Sequence, residues 1–366
     1  MSTLWRAPTT LAASVGAAPA AISVVVPTYR RANRLALFLE RLARVERAAL
    51  LDVLIVDQTP GAEHGDLNGF SRFFAALRFL KLDVANVALA RNAGALEARA
   101  DMLLFVDDDM ELEACFASNL LALAASASRA AFGGTWENVG ESRGDGDALA
   151  PKQSANGPLP PCGGGRGRGV AQASQNAGRC EDSDRSAQPP SLTLPHKGGG
   201  DSSTHSVVAN FLPSGVLAIR RDDFLAVGGF DERLHRYFED AELSHRLKKS
   251  GILLVKDVRL RAIHHDEKTD GTWYSPSLRE AASTLARQQA YFTRKTGRSW
   301  PRTVWTLART VVNEARNPAY VRKGNVVTRA IMLTLMAPSA LCYAARQPAL
   351  RSSAPRLQRA GGILGR

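Results

Sequence analysis

Three short apolar runs limit the fold of this chain more than any other feature. Ile22–Val26, interrupted only by Ser23, and the unbroken Val53–Val56 and Met102–Val106 are rich in branched side chains and too short for an ordinary helix. Such runs suit strands buried on both faces. Pro27 is expected to stop the first of them. Next, apolar side chains at Leu35, Phe38, Leu39, Leu42 and Val45 follow helical spacing, with Asn33 as the expected cap. A further strand is expected at Leu77–Leu82 and a helix through Ala88–Ala98. Strands alternating with helices predict an α/β protein whose parallel sheet carries helices on both faces.

Two runs end directly in acid, at Asp57 and at the triplet Asp107, Asp108 and Asp109. In such sheets ligands bind at the edge where strands emerge. Carboxylates packed this closely repel unless a cation or donors compensate them. A hard divalent ion holding a diphosphate would do so; a solvated acidic turn capping the next helix is the other reading. Arg91, near a helix start, suits either a phosphate or a plain surface position.

The second half repeats the pattern. A strand is expected at Val216–Ile219, a helical turn at Asp223–Val227 before Gly228 and Gly229, and a helix at Glu239–Lys249 ended by Gly251. A strand at Ile252–Val255 follows, and the unit closes at His264 and His265. Glu239 and Asp240 sit where a helix dipole favours acids. Such a carboxylate could equally accept the proton of an attacking hydroxyl. Glu242 and Arg246 suit an i,i+4 ion pair. The two histidines read as a strand-end pair or as a further ligand for a metal held by Asp109.

Composition shifts twice. About 141–205 is dominated by Gly, Ser, Pro, Asn and Gln without apolar period, and is expected to be a disordered insertion into the domain. Residues 1–20 are expected to be a disordered N-terminus; lacking a long apolar core, they do not read as a cleaved signal peptide. From Ala281 onward 15 Lys and Arg face one acid, Glu314, a net +14 in a chain of +12 overall. That asymmetry calls for an anionic partner. No nucleic-acid-reading motif is present, so an anionic membrane surface is the expected one. Ala330–Ala345 has no charge, is short of the roughly 20 residues of a span, and contains Pro338. It is expected to lie in a membrane interface or in a small helical bundle. The four cysteines, Cys115, Cys162, Cys180 and Cys342, form no CxxC and fit a reducing, cytoplasmic compartment.

Taken in order, Val24–Arg30, Ile55–Asp57, Ala90–Gly94, Phe105–Asp109, Val227–Asp231, Phe238–Asp240 and His264/His265 resemble the motifs of family 2 glycosyltransferases over roughly residues 21–266. The resemblance implies an inverting enzyme of the GT-A fold, an α/β domain with a Rossmann-like mixed sheet at 21–270. The basic helical region at 271–366 follows, suited to the cytoplasmic face of a membrane. It further implies a nucleotide-sugar donor, a glycan or lipid-linked acceptor, and Mg²⁺ or Mn²⁺. Pro27, Thr28, Asp57, Arg91, Asp107 and Asp108 would bind the nucleotide sugar. Asp107, Asp109 and His265, or else His264, would hold the metal, with Asp240 as base and Glu239 towards the acceptor. Where the family often has two acids and Gly-Ser, this chain has Asp57, Gln58, Thr59 and Pro60. A catalytically silent sugar-nucleotide-binding scaffold and a nucleotidyltransferase are the alternatives. The latter lacks its usual glycine-rich loop, since Pro27–Asn33 contains no glycine.

Overall fold

The computed structural model describes residues 20–61, 67–140, 205–266, 278–315 and 326–347. The expected disordered N-terminus and nearly all of the expected insertion lie outside these residues. The elements are β1 (Ile22–Thr28), α1 (Ala32–Leu42), β2 (Leu51–Asp57), β3 (Ala76–Lys81), α2 (Val87–Glu97), β4 (Met102–Val106), β5 (Met110–Leu112), α3 (Phe116–Ser126) and β6 (Ala130–Gly140). There follow β7 (Ser206–Val208), β8 (Val216–Arg220), α4 (Arg221–Ala226), α5 (Glu239–Lys249), β9 (Leu253–Asp266), α6 (Leu278–Lys295), α7 (Trp300–Ala315) and α8 (Val326–Arg346).

The sheet order is β3-β2-β1-β4-β8-β6-β9-β5, with β7 beside β9. The parallel arrangement that the alternating pattern predicts holds for β3, β2, β1 and β4 and again for the β6–β9 pair, but β8, β5 and β7 run against it. Strands β3, β2, β1 and β4 run parallel, whereas β8 is antiparallel to both β4 and β6. Period reports burial and not strand direction, so the reversal was invisible to it. The result is the mixed sheet that the family resemblance implied.

Helices cover both faces because alternate residues of each strand feed different cores. Val24 and Val26 pack with Leu35 and Phe38 of α1 and Phe116 of α3; Val25 packs with Ala88 of α2, Phe224 of α4 and Leu243 of α5. Helix α2 lies so close to β1 that a Cβ on Gly94 would overlap Val25 Cγ1. Val25 is stiff and fully buried, so Gly94→Ala is expected to destabilise by about 1–3 kcal/mol, read as a lowered urea midpoint.

Two local expectations need correction. Strand β1 does not stop at Pro27 but continues to Thr28. Its pairing with β4 has ended at Val25, so proline's missing N–H forfeits nothing on that side. Asn33 is not the cap of α1: Arg31 is, without a side-chain bond, and Asn33 lies inside the helix.

Helices α6, α7 and α8 share a core of their own, with Ala282, Ala286 and Ala290 of α6 against Leu307 of α7 and Leu333, Ala340 and Ala344 of α8. The uncharged stretch Ala330–Ala345 is therefore a bundle helix on one side, although Ile331 and Leu335 stay exposed. Among the described residues no helix is long and apolar enough to cross a membrane. The bundle joins the sheet domain just ahead of α5. Tyr291 donates to Asp231 at 2.6 Å, Lys295 pairs with Asp231 and with Glu242 (2.9 Å), and Phe292 stacks on Phe238 at 5.3 Å.

Candidate functional site

Because β1, β2 and β4 are parallel, their C-terminal ends open onto one sheet edge, with Thr28 opposite Asp57 and the triplet just past β4. A cavity of about 600 Å³ lies there, lined by Pro27, Thr28, Gln58, Arg91, Glu239 and all three aspartates of the triplet, among others. Asp57 is not in its wall. It is 1% exposed, held by Lys81 and by the backbone N–H of Thr59 at 2.9 Å, and the neighbouring, also buried Gln58 lines the wall instead.

The three aspartates have three different environments. Asp107 accepts from Arg91 Nη2 at 2.7 Å and is the most exposed of them. Asp108 is buried, accepting from Thr28 Oγ1 at 2.7 Å and Arg31 Nη1 at 2.5 Å. Burial outweighs both partners and pushes its pKa up to about 6. Asp109 is also partly desolvated, but the nearby His264 ring and the charge of Arg31 prevail and hold its pKa below the usual range. The acids therefore share out their repulsion through three arginines, Arg31, Arg34 and Arg91, and a histidine.

A sign follows for stability. A proton held more tightly in the folded state stabilises below the ordinary aspartate pKa of 3.8, and that stabilisation fades as pH rises through about 6. Asp108→Asn, which carries no charge to bury, should lose this dependence. Measured without divalent ions, its stability relative to the parent is expected to improve by about 2.4 kcal/mol between pH 4 and pH 8. Parallel stability–pH curves for the two proteins would show that Asp108 is not the titrating group.

Arg91 joins the two halves of the site. Its Nη2 holds Asp107 and its Nη1 holds Glu239 at 3.2 Å, while the guanidinium lies 5.4 Å from the ring centre of Phe230. The side chain is 3% exposed and its Nε is buried without a partner. Asn86 caps α2 by accepting from Leu89 N–H at 3.1 Å, which sets the register that turns Arg91 inward.

Glu239 and Asp240 open α5, after Phe238 in the left-handed region at φ +67°. A bulky residue there is strained, and the stacking on Phe292 fixes it. Asp240 Oδ1 accepts from the N–H of Ala241 at 2.7 Å. Burial raises the pKa of both acids, with Arg91 opposing it in each case. Glu239 lines the cavity and Asp240 does not. Glu242 makes the expected pair with Arg246, at 2.6 Å.

Adjacent strand residues face opposite sides, which separates the two histidines. His264 Nε2 stands 3.7 Å from Asp109 Oδ1. The ring of His265, the expected metal ligand, instead meets Glu111 at 2.7 Å; only its backbone N–H reaches the Asp109 carbonyl, at 2.9 Å. Among the described residues no three metal-binding side chains converge. Asp109 with His264 forms a partial set of hard oxygen and imidazole donors. This fits an ion completed by substrate phosphates. Arg31 and His235, both in the cavity wall, were not foreseen. Neither lies in a motif, and no sequence signal marks them.

Residues 23–149 match the family described as glycosyl transferase family 2. Over 76 residues the chain is 40% identical to an N-acetylglucosaminyl-diphospho-decaprenol L-rhamnosyltransferase of Mycobacterium tuberculosis (strain CDC 1551 / Oshkosh), covering 21% of this chain and 22% of that protein. The match thus spans about a fifth of the length of that relative. Two solved structures are similar: a mannosyltransferase from Pyrobaculum calidifontis in complex with GDP-Man and Mn²⁺ (13% identity, 90% of this chain, 88% of that one, TM-score 0.45); and S. aureus TarS 1-349 in complex with UDP-GlcNAc (12% identity, 87% of this chain, 92% of that one, TM-score 0.48).

Proposed function

Starting from the glycosyl transferase family 2 sequence in residues 23–149, we propose that this chain moves a sugar from a nucleoside diphosphate donor to an acceptor hydroxyl with inversion. The observation that carries the reading is the Arg91 bridge. It ties Asp107, at the end of β4, to Glu239, next to Asp240 in α5, so that donor-side and acceptor-side acids share one frame. Mannosyl and N-acetylglucosaminyl donors are named with the similar structures, and a lipid-linked acceptor with the curated relative.

In this mechanism the nucleotide lies against Pro27, Thr28 and Gln58, and the diphosphate against the triplet. Asp107, Asp109 and His264 would hold a divalent ion, which supplies Lewis-acid stabilisation of the leaving diphosphate. Arg31 moves off Asp108 and Asp109 as the diphosphate arrives, and its charge then faces phosphate. Asp240 accepts the proton of the acceptor hydroxyl, which attacks the anomeric carbon opposite the leaving group. A raised pKa suits it to that task, because a stronger base takes the proton more readily. Glu239, fixed by Arg91, orients the acceptor.

Asp109→Ala is the test of the donor side. It is expected to abolish Mn²⁺-dependent binding of UDP- and GDP-sugars, read by calorimetry with and without chelator, while the fold persists. Donor affinity that is the same in parent and variant, in both conditions, would remove the metal role from the triplet.

A further inference from the structure

A second cavity of about 600 Å³ lies between α5 and the pair α6–α7, and the reaction outlined above leaves it unused. Among the described residues, its lining contains no carboxylate. It does contain Lys248, Arg298, Arg302 and Arg309. The guanidiniums of Arg302 and Arg309 lie 4.5 and 5.3 Å from the ring centre of Trp305, an exposed aromatic in the same wall. Among the described residues none of these three arginines is paired with an acid. Stacking on Trp305 keeps two of them splayed along α7 without spending their N–H donors. His245 adds a buried Nε2 with no partner. Burial first, and then the charges of Lys249, Lys248 and Arg298, push its pKa down against the opposing Glu242. The field in this cavity is positive.

Its position gives that field a use. Glu239 lines the first cavity and Ala241 the second; Asp240, which lines neither, is the residue between them in the first turn of α5. We propose that the second cavity is an anion subsite for the acceptor, which holds a phosphate-bearing group on Arg298, Arg302, Arg309 and Lys248 with Trp305 as an apolar platform. The acceptor role rests on the glycosyl-transfer reading; anion binding does not. Phosphate fits better than a single carboxylate, because several planar guanidinium forks match an oxyanion of more than one charge. A hydroxyl beyond that phosphate is then presented towards Asp240 while the donor fills the first cavity.

The test uses the full chain, in chelator so that no metal bridges phosphate to the triplet. Calorimetry measures inorganic pyrophosphate, farnesyl diphosphate and farnesol against the parent, an Arg298→Glu/Arg302→Glu variant, and Arg44→Glu. The last makes a charge reversal just after the end of α1, at a residue that does not line the cavity. Both diphosphates should bind the parent, weaken by about tenfold or more in the double variant and change less than about twofold in Arg44→Glu. Farnesyl diphosphate binding more tightly than pyrophosphate would point to a lipid-borne phosphate, and equal affinities to a soluble phosphorylated acceptor; either outcome supports the subsite. Equal affinities in parent and double variant would overturn it, as would equal losses in the double variant and Arg44→Glu. Diphosphate binding that is lost in the double variant, in a protein that turns over no sugar nucleotide, would keep the anion site and sink the transfer reading.

Discussion

Asp240→Asn is expected to lower kcat for sugar transfer by about 10²–10⁴-fold, the usual contribution of a positioned general base, while donor affinity stays within about twofold. Asparagine keeps the size of the side chain and an oxygen to accept from the Ala241 N–H, so the start of α5 should survive. What it loses is the lone charge that takes the acceptor's proton. The pH profile supplies a second reading. A base works only when ionised, and burial raises the pKa of Asp240 above the ordinary 3.8. Activity should therefore fall as pH drops through that raised value, placing the acid limb of kcat/KM above the range of an exposed aspartate. A variant that transfers sugar at close to the parent rate would show that another group is the base. Glu239, with its own raised pKa, would be the first to examine.

Much of this site could be read from the chain because its parts lie where sequence patterns are strong. Strand β4 was found to the residue, since five buried apolar side chains in a row leave little choice. Helix α5 was also found to the residue, opened by acids and closed before Gly251 at φ +75°. Other elements gave no such signal. Helix α3 is nearly all apolar along Phe116–Ser126, so it has no polar face to reveal a period. Strand β6 passes through Gly133 and Gly134, and its pairing with β9 shifts register there. Pairwise facts were less accessible still. That His264 and not His265 faces Asp109 depends on β9 pairing Met110 with His264, a register fixed by a strand of three residues. That Arg31 reaches two aspartates depends on the turn after β1, where Arg30 sits at φ +55°. Such contacts belong to the tertiary structure, and no local pattern carries them.

Arg91→Met should have the largest effect on stability, because it removes the cation shared by two acids on either side of the site. The guanidinium is almost completely buried, and its desolvation is offset by Asp107 first and then Glu239. Taking it away leaves Glu239 buried and unpaired, with the charge of Asp240 beside it. Breaking such a buried arrangement from one side costs about 3–5 kcal/mol, which urea denaturation would resolve easily. The same change should act on catalysis through a separate route. Arg91 holds the pKa of Asp240 and Glu239 down against burial, so without it both rise further and the acid limb of the rate profile moves to higher pH. Adding Glu239→Gln to Arg91→Met removes the stranded charge and should recover part of the stability, but not the orientation of the two half-sites, and turnover should stay low. Arg91→Lys keeps a charge yet cannot form two separate bonds in the fixed fork, so it should fall between parent and Arg91→Met in both readings. An Arg91→Met protein within about 1 kcal/mol of the parent, with an unshifted acid limb, would mean that the bridge is not what holds the two halves of the site together.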